Sequence, residues 1–255
     1  MNIISFLKKI RIRLQPRYTT FATTYPGFLC TVADKSSFLY MHEEISEKEI
    51  YRFACTTEKP FIIDCGSNIG LSVIYFKKLF PTAEIIAFEP DPNIYNILQK
   101  NIAAAKIATD VTVVQACLGD SDKKIKFYSD GADGGSITSS DVSTRTIEVP
   151  QQRLDTYVNK PVDFLKMDIE GSEYTVLQNI VPKLHLIDKI FIEYHSFVDQ
   201  EQNLDNILSI LKGAGFRYYI EHVGIRSNHV YIHQESYHGM DLQINIYGYR
   251  TKTAK

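Results

Sequence analysis

The 255-residue chain lacks two features that would assign it to common protein classes. It contains no run approaching the roughly 18 uninterrupted apolar residues that a transmembrane helix needs. It also lacks a charge imbalance: the net charge is −2, and no basic patch interleaved with aromatic residues is present. These absences argue against a membrane-spanning protein and against a nucleic-acid partner. We therefore expect a soluble protein whose substrates are small or uncharged.

Cysteine is also scarce. The four cysteines, Cys30, Cys55, Cys65 and Cys117, show no C-x-x-C or other metal-ligand spacing. Two of them lie within apolar, strand-like segments, where a thiol behaves as a small hydrophobic group. The cysteine pattern therefore favours a reduced, cytoplasmic compartment and gives no sign of a metal site.

The composition includes enough apolar residues for a sizeable core, because 44% are hydrophobic and 12% are aromatic. Residues 2–14 alternate apolar side chains with lysine and arginine, which predicts an amphipathic basic helix ending before Pro16. This helix packs on its own domain or, alternatively, makes weak peripheral contact with an anionic membrane surface. We expect residues 1–55 to form an N-terminal helical and extended segment that packs on a core domain of residues 56–255.

The stretch from Phe61 to Pro90 organises this core domain. It reads as a short buried strand, a polar glycine loop at residues 65–70, a helix and a second apolar strand. The glycines allow a sharp turn and close approach to a ligand, and the helix that starts near Leu71 presents unpaired N–H groups to that ligand. Glu89 follows at about the distance where nucleotide-binding folds place a carboxylate on ribose hydroxyls. The stretch predicts the cofactor-binding half of an α/β domain.

The third strand, Val111–Ala116, ends in a loop that contains Leu118 and Asp120. Ligands of open parallel sheets collect at the carboxyl ends of the strands, so this loop could flank an adenine. A plain Gly-Asp turn is the alternative interpretation.

Two pairs of segments predict β-hairpins. Lys124–Tyr128 and Thr144–Val149 alternate as strands of a hairpin inserted into the α/β core. Residues 129–143 between them form either a substrate cover or a tolerated surface insertion. Near the end of the chain, Phe216–Val223 and Leu242–Tyr249 lack an obvious intervening helix and are expected to pair antiparallel.

Acidic residues follow the fourth and fifth core strands. Asp168 and Glu170 end the fourth strand, while Glu193 and His195 lie on the fifth. Strand residues two apart share a face, so these four side chains converge at one rim if the two strands are neighbours. A histidine in that position is suited to acid–base chemistry, although a purely structural histidine is the alternative.

The motifs together resemble the FkbM family of S-adenosylmethionine-dependent methyltransferases. They are Ile63–Gly70, Phe88–Pro90, Leu154–Asp155 and Lys166–Glu173. The resemblance spans about Pro60 to His195. It implies a Rossmann-like α/β fold with a seven-stranded, mostly parallel sheet that ends in the C-terminal antiparallel hairpin.

The same resemblance implies S-adenosyl-L-methionine as cofactor and methyl transfer to a hydroxyl oxygen, often on a sugar of a glycan, polysaccharide or glycosylated natural product. The loop glycines and Asn68 would line the methionine end, Glu89 would hold the ribose, and Asp168 would lie near the amino-acid part or the reacting methyl. The implied cofactor-binding residues are Asp64, Gly66, Asn68, Gly70, Glu89, Leu118, Asp120 and Asp168.

An unactivated hydroxyl is a poor nucleophile, so the reaction needs alignment and a group that takes up the hydroxyl proton. The predicted base is His195 or Glu170, with Asp168 in support. No metal site is predicted, although the clustered acids could instead bind a divalent cation that lowers the pKa of the acceptor.

Two other functions remain open from the sequence. An NAD-dependent oxidoreductase also places an acid on ribose, but its G-x-G-x-x-G fingerprint is broken because Asn68 occupies the place of the middle glycine. A non-catalytic scaffold that binds the cofactor or a glycan would keep the fold without turnover. The acidic rim argues against the scaffold, since clustered charges without a use are costly.

Overall fold

The computed structural model describes residues 9–25, 27–129, 145–224 and 226–251. In chain order, the strands are β1 (Phe21–Tyr25), β2 (Phe28–Val32), β3 (Phe61–Cys65), β4 (Glu84–Phe88), β5 (Val111–Val114), β6 (Cys117–Gly119), β7 (Lys123–Ser129), β8 (Arg145–Arg153), β9 (Phe164–Met167), β10 (Lys189–Phe197), β11 (Arg217–Val223) and β12 (Met240–Tyr249). The α-helices that follow the helical residues 9–13 are α1 (Lys35–Met41), α2 (Leu71–Leu79), α3 (Pro92–Ala104), α4 (Glu173–Asn179) and α5 (Leu204–Gly213). None of the helices in these ranges is long and apolar enough to cross a membrane.

Seven strands form the central sheet in the order β11-β12-β10-β9-β3-β4-β5. The pairs from β10 to β5 are parallel, whereas β12 runs antiparallel to both β10 and β11. The predicted mostly parallel sheet with a C-terminal antiparallel hairpin is therefore confirmed. The order reverses beside β3, which places the ends of β3, β4, β9 and β10 around one crevice.

Apolar side chains cover both faces of the sheet, as parallel strands require. Strand β3 is buried along its whole length, and its residues alternate between the two sides. Ile62 packs with α2 and α3 in one cluster, whereas Ile63 packs with α4 and α5 in the other. This alternation leaves Asp64 on the same face as Ile62, directed towards α2.

The N-terminal segment packs on the α2 side. Tyr25, Phe38 and Tyr51 belong to the same buried cluster as Phe76 of α2. The buried Asn101 of α3 connects this segment to the glycine loop. Its side-chain oxygen accepts the backbone N–H of Thr31 in β2 at 2.7 Å, and its amide nitrogen donates to the carbonyls of Thr31 and of Ile69 in the loop, both at 2.9 Å. Residues 9–13 of the predicted basic helix are helical, and residues 1–8 lie outside the described residues. The boundary between residues 55 and 56 stays a prediction.

The predicted inserted hairpin is present as β7 and β8, which pair antiparallel from Lys123↔Gln151 to Ser129↔Arg145. Strand β6 adds a parallel edge to β8 and completes a small three-stranded sheet. Of the predicted cover at residues 129–143, residues 130–143 lie outside the described residues. The third core strand ends at Val114, two residues earlier than the sequence pattern predicted.

Candidate active site

The glycine loop after β3 is held by the end of β4. The backbone N–H groups of Gly66 and Ser67 both donate to the carbonyl of Phe88, at 3.2 and 2.8 Å. Three loop residues have a left-handed backbone: Gly66 (φ +84°), Asn68 (φ +46°) and Gly70 (φ +90°). Asparagine is one of the few side-chain-bearing residues that tolerate this region, which explains the break in the dinucleotide fingerprint.

Gly66 is required because two backbone segments meet there. A Cβ atom on Gly66 would lie 1.8 Å from the carbonyl oxygen of Asp168. The loop therefore lies directly against the end of β9, and the predicted cofactor loop and the predicted acidic rim form one site.

Glu89 is a buried carboxylate beside this loop, with 7% of its surface exposed. It accepts hydrogen bonds from the backbone N–H groups of Asp91, at 2.9 Å, and Asn68. Burial raises the pKa of Glu89 to about 8, because these N–H groups only partly replace water. A carboxylate with remaining acceptor capacity next to a glycine loop has the chemistry that ribose hydroxyls need.

A buried lysine, Lys166 of β9, connects the loop to the acids. Its ammonium donates to the carbonyl of Gly66 at 2.7 Å and lies 3.3 Å from both Asp64 and Asp168. Burial alone would lower the pKa of Lys166, but the surrounding carboxylates, Asp168 first, outweigh it and raise the pKa above its ordinary value. Asp64 is also held by the hydroxyl of Ser72, at 2.5 Å. Lys166 is therefore a permanent cation in the site.

His195 is buried among carboxylates. Its Nδ1 lies 2.9 Å from Glu173 Oε1, and its Nε2 lies 3.7 Å from Glu170 and 3.8 Å from Glu193. Glu173 Oε1 also accepts the backbone N–H of Gly171 at 3.0 Å. Burial disfavours the imidazolium, but the charges of Glu170 and Glu173 outweigh burial and raise the pKa of His195 well above its ordinary value. Asp168, Glu193 and His195 come together as the strand pattern predicted. The prediction was wrong for the backbone at Glu170, because β9 ends at Met167 and Glu170 reaches His195 from a left-handed turn. The carboxylates around His195 favour its protonated form.

Of the remaining predicted residues, Leu118 lies in the core and Asp120 lies at the surface. Leu118 is buried in the core cluster on the α4 side, whereas the Asp120 carboxylate accepts from Gln151 of β8 at 2.9 Å and pairs with Lys123. Their contact with adenine stays a prediction, as do the other assigned cofactor and catalytic roles.

Sequence reasoning gave no functional role to three residues of this network, Lys166, Glu173 and Gln243. Glu173 does begin helix α4, as expected for an acid favoured by the helix dipole, but it also holds His195 and the loop. The role of Lys166 could have been detected from its position, because it is a charged residue inside the otherwise apolar strand Phe164–Met167. Lysine is almost never fully buried without a partner.

Asp168, Glu193 and His195 also have ligand atoms within 4.8 Å of one another, close enough for a shared metal ion. Two neighbouring groups compete with a cation for these ligand atoms: the Lys166 ammonium lies 3.3 Å from Asp168, and the surrounding carboxylates raise the pKa of His195. A divalent cation would have to displace a proton and approach an ammonium group.

Residues 64–218 match the model of the methyltransferase FkbM domain. This chain belongs to the FkbM methyltransferase family. Among curated relatives, Methyltransferase 1 of Beauveria bassiana is 26% identical over 74% of this chain and 85% of its own length. The 2-O-methyltransferase NoeI of Sinorhizobium fredii is 25% identical over 79% of this chain and 84% of its own length.

Two solved structures share the fold with this FkbM-family protein. Methyltransferase FkbM from Methylobacillus flagellatus KT superposes with a TM-score of 0.52 at 17% identity, over 84% of this chain but only 53% of that structure's chain. TYW2 of M. jannaschii, solved in complex with AdoMet, gives a TM-score of 0.52 at 16% identity over 92% and 87% of the two chains.

Family membership confirms the resemblance read from the motifs, and the protein is an S-adenosylmethionine-dependent methyltransferase. The residues present fit that cofactor. The loop approaches without a side chain at Gly66, the buried Glu89 can accept hydroxyl groups, and the acids around Lys166 can compensate the positive charges of the sulfonium and ammonium groups.

Proposed function

We propose that this FkbM methyltransferase methylates a hydroxyl oxygen, with a sugar of a glycan, polysaccharide or glycosylated natural product as the acceptor. The supporting observation is the rim of Asp168, Glu170, Glu193 and His195, which adjoins the glycine loop and offers several carboxylates to a polyhydroxylated ligand. The name of the relative NoeI, a 2-O-methyltransferase, supports an oxygen acceptor.

The cofactor supplies a methyl group that is already electrophilic because it is bonded to a sulfonium. The chain must therefore align an acceptor hydroxyl with that methyl and take up the hydroxyl proton. Asp168 lies at the loop and faces Lys166, which suits it to hold the amino-acid end of the cofactor. Of the three carboxylates within 4 Å of His195, Glu170 is the most exposed, so it is placed to bind an acceptor hydroxyl.

The proposal is tested by incubating the protein with methyl-labelled cofactor and a panel of p-nitrophenyl glycosides of common hexoses and deoxyhexoses. We expect label in an ether that survives mild base, as a sugar methyl ether does. A folded protein that binds S-adenosylhomocysteine but labels no glycoside would instead favour the scaffold. Transfer of label only to amines or carboxylates would replace the oxygen acceptor with another class.

Glu89→Gln should weaken S-adenosylhomocysteine binding by about ten- to a hundredfold, because a hydrogen bond to a charged group contributes about 1.5–3 kcal/mol. The ribose hydroxyls bind the ionised carboxylate, and burial raises its pKa to about 8. Binding to the wild type therefore releases a proton and tightens as pH rises towards 8, by up to about tenfold per unit. The variant should lose this proton release and the pH dependence of binding, both measured by calorimetric titration at pH 6–9.

Glu84→Gln serves as the matched control, since Glu84 begins the same strand β4 and pairs with Lys160 at the surface. It should retain both the affinity and the pH dependence. If Glu89→Gln binds as tightly as the wild type at every pH, the ribose role of Glu89 is wrong.

A further inference from the structure

The proposed reaction releases a hydroxyl proton, and His195 is poorly placed to accept it. The carboxylate of Glu173 can only accept a hydrogen bond, so Nδ1 of His195 must carry a proton. Nε2 lies between the carboxylates of Glu170 and Glu193, which favour a proton on that nitrogen too. When both ring nitrogens carry protons, the ring has no lone pair for a third proton.

Glu170 is a more exposed alternative. It lies on the turn after β9, with a left-handed backbone (φ +53°), and 22% of its side chain is exposed. A partly exposed carboxylate on a turn is suited to contact a variable acceptor. Proton transfer, however, benefits from a base that is fixed relative to the reacting atoms.

Glu193 is fixed. It lies inside β10, one residue beyond the last parallel pair of that strand with β9, Ile192↔Met167, and therefore beside Asp168. Its Oε1 accepts the side-chain amide of Gln243 from β12 at 2.5 Å, and only 6% of its surface is exposed. The Gln243 amide thus holds the carboxylate from the neighbouring strand β12, next to Asp168, which touches the glycine loop.

We propose that Glu193 is the general base of the methyl transfer and that His195 is a positioning residue. This inference rests on the proposed function. As the acceptor oxygen bonds to the methyl carbon, the carbon–sulfur bond breaks and its electron pair stays on sulfur. The hydroxyl proton passes to the carboxylate of Glu193, so that the products are a methyl ether, the neutral thioether and a protonated Glu193.

The charged and titratable groups that face Glu193 support a base that works near neutral pH. Asp168 lies beside Glu193, and His195 and Lys166 lie on the same face of the sheet. The Gln243 amide donates to Glu193. The Tyr51 ring lies next to Lys166, and its hydroxyl is close enough to interact with Glu193. Burial is the largest influence and Asp168 adds to it, so that together they raise the pKa of Glu193 to about 7. His195, Gln243 and Lys166 act in the opposite direction.

The sign of the pH dependence follows from this shift. Glu193 is ionised above a pKa near 7 and protonated below it. The turnover number should therefore fall about tenfold per pH unit below that pKa and be constant above it. Glu193→Gln should lower kcat by about a hundred- to ten-thousandfold, the usual range for general base catalysis, and abolish the acidic limb. Its affinity for S-adenosylhomocysteine should change less than threefold.

Gln243→Met provides a more specific readout. The Gln243 amide stabilises the ionised form of Glu193, so its removal should move the acidic limb to higher pH while kcat on the plateau is largely kept. Glu221→Gln is the control, because Glu221 lies on the exposed edge strand β11, and it should leave the profile unchanged. A full acidic limb in Glu193→Gln, or activity that is lost with EDTA and restored by Mg²⁺, would overturn the inference.

A second measurement needs no acceptor. Carbon-13 NMR of glutamate-labelled protein, with the Glu193→Gln spectrum for assignment, gives the titration of this carboxyl directly. A titration between pH 6 and 8 supports the inference, whereas one below pH 5 refutes it. If no glycoside is methylated while the carboxyl titrates near 7, the proposed acceptor class fails, but Glu193 still has the pKa that a general base needs.

Discussion

Lys166→Met should destabilise the protein by about 3–5 kcal/mol, the usual cost of removing one partner of a buried charge pair. In the wild type, Lys166 is 2% exposed, and its ammonium lies 3.3 Å from both Asp64 and Asp168. Methionine fills a similar volume but leaves the two carboxylates facing each other without a cation. It also removes the hydrogen bond to the Gly66 carbonyl. Urea denaturation followed by circular dichroism gives the change in unfolding free energy.

Lys59→Met is the control for the same side-chain change at the surface. Lys59 pairs with Asp110 at 2.9 Å, but both side chains are exposed, so its loss should cost about 0–1 kcal/mol. Partial recovery in Lys166→Met/Asp64→Asn would show that the unpaired charge causes the loss. Equal stability of the wild type and Lys166→Met would contradict the role of this lysine as the cation of the site.

The fold could be predicted from the sequence because its signals are local and repeated. Buried strands such as Phe61–Cys65 are continuous apolar runs, and Gly66 and Gly70 mark the turn that follows. The absence of a helix between β11 and β12 indicated their antiparallel pairing. Each of these features is a property of a short segment, so one sequence is sufficient to detect it.

The roles within the site could be predicted only in part, because they depend on contacts between distant segments. Alternation along β10 correctly placed Glu193 and His195 on one face. The protonation of His195, however, depends on Glu173, which lies 22 positions away and bonds the ring from another element. The position and the pKa of the Glu193 carboxylate likewise depend on the amide of Gln243, 50 positions away. No local pattern carries that information.

These contacts also connect the glycine loop, where the methyl donor would bind, with the acidic rim, where the methyl acceptor would bind. Lys166 bonds the Gly66 carbonyl and pairs with Asp168, and Asp168 is adjacent to Glu193 across the sheet. A change in the cofactor loop is therefore transmitted to the rim through two side chains. We expect variants of the loop to reduce both cofactor affinity and turnover, whereas variants of Glu193 reduce turnover alone.

Gly66→Ala should test this connection with a single methyl group. The residue has φ +84°, which costs an alanine about 1–2 kcal/mol. Its Cβ would lie 1.8 Å from the carbonyl oxygen of Asp168, and overpacking of this kind costs a further 1–3 kcal/mol, approximately. Because the obstacle is backbone, relief requires that the loop moves away from β9. We expect a folded, less stable protein whose affinity for S-adenosylhomocysteine falls at least about a hundredfold, because the loop no longer fits the ligand.

The same substitution at Gly213 separates the loop effect from a general intolerance of alanine. Gly213 is the last residue of α5, and a Cβ there would meet nothing within 4 Å. Gly213→Ala should therefore keep wild-type affinity and be as stable or slightly more stable, since alanine favours a helix by up to about 1 kcal/mol over glycine. If Gly66→Ala binds S-adenosylhomocysteine as tightly as Gly213→Ala does, the loop tolerates displacement from Asp168. The close approach of the two backbones would then be a feature of packing and not of cofactor binding.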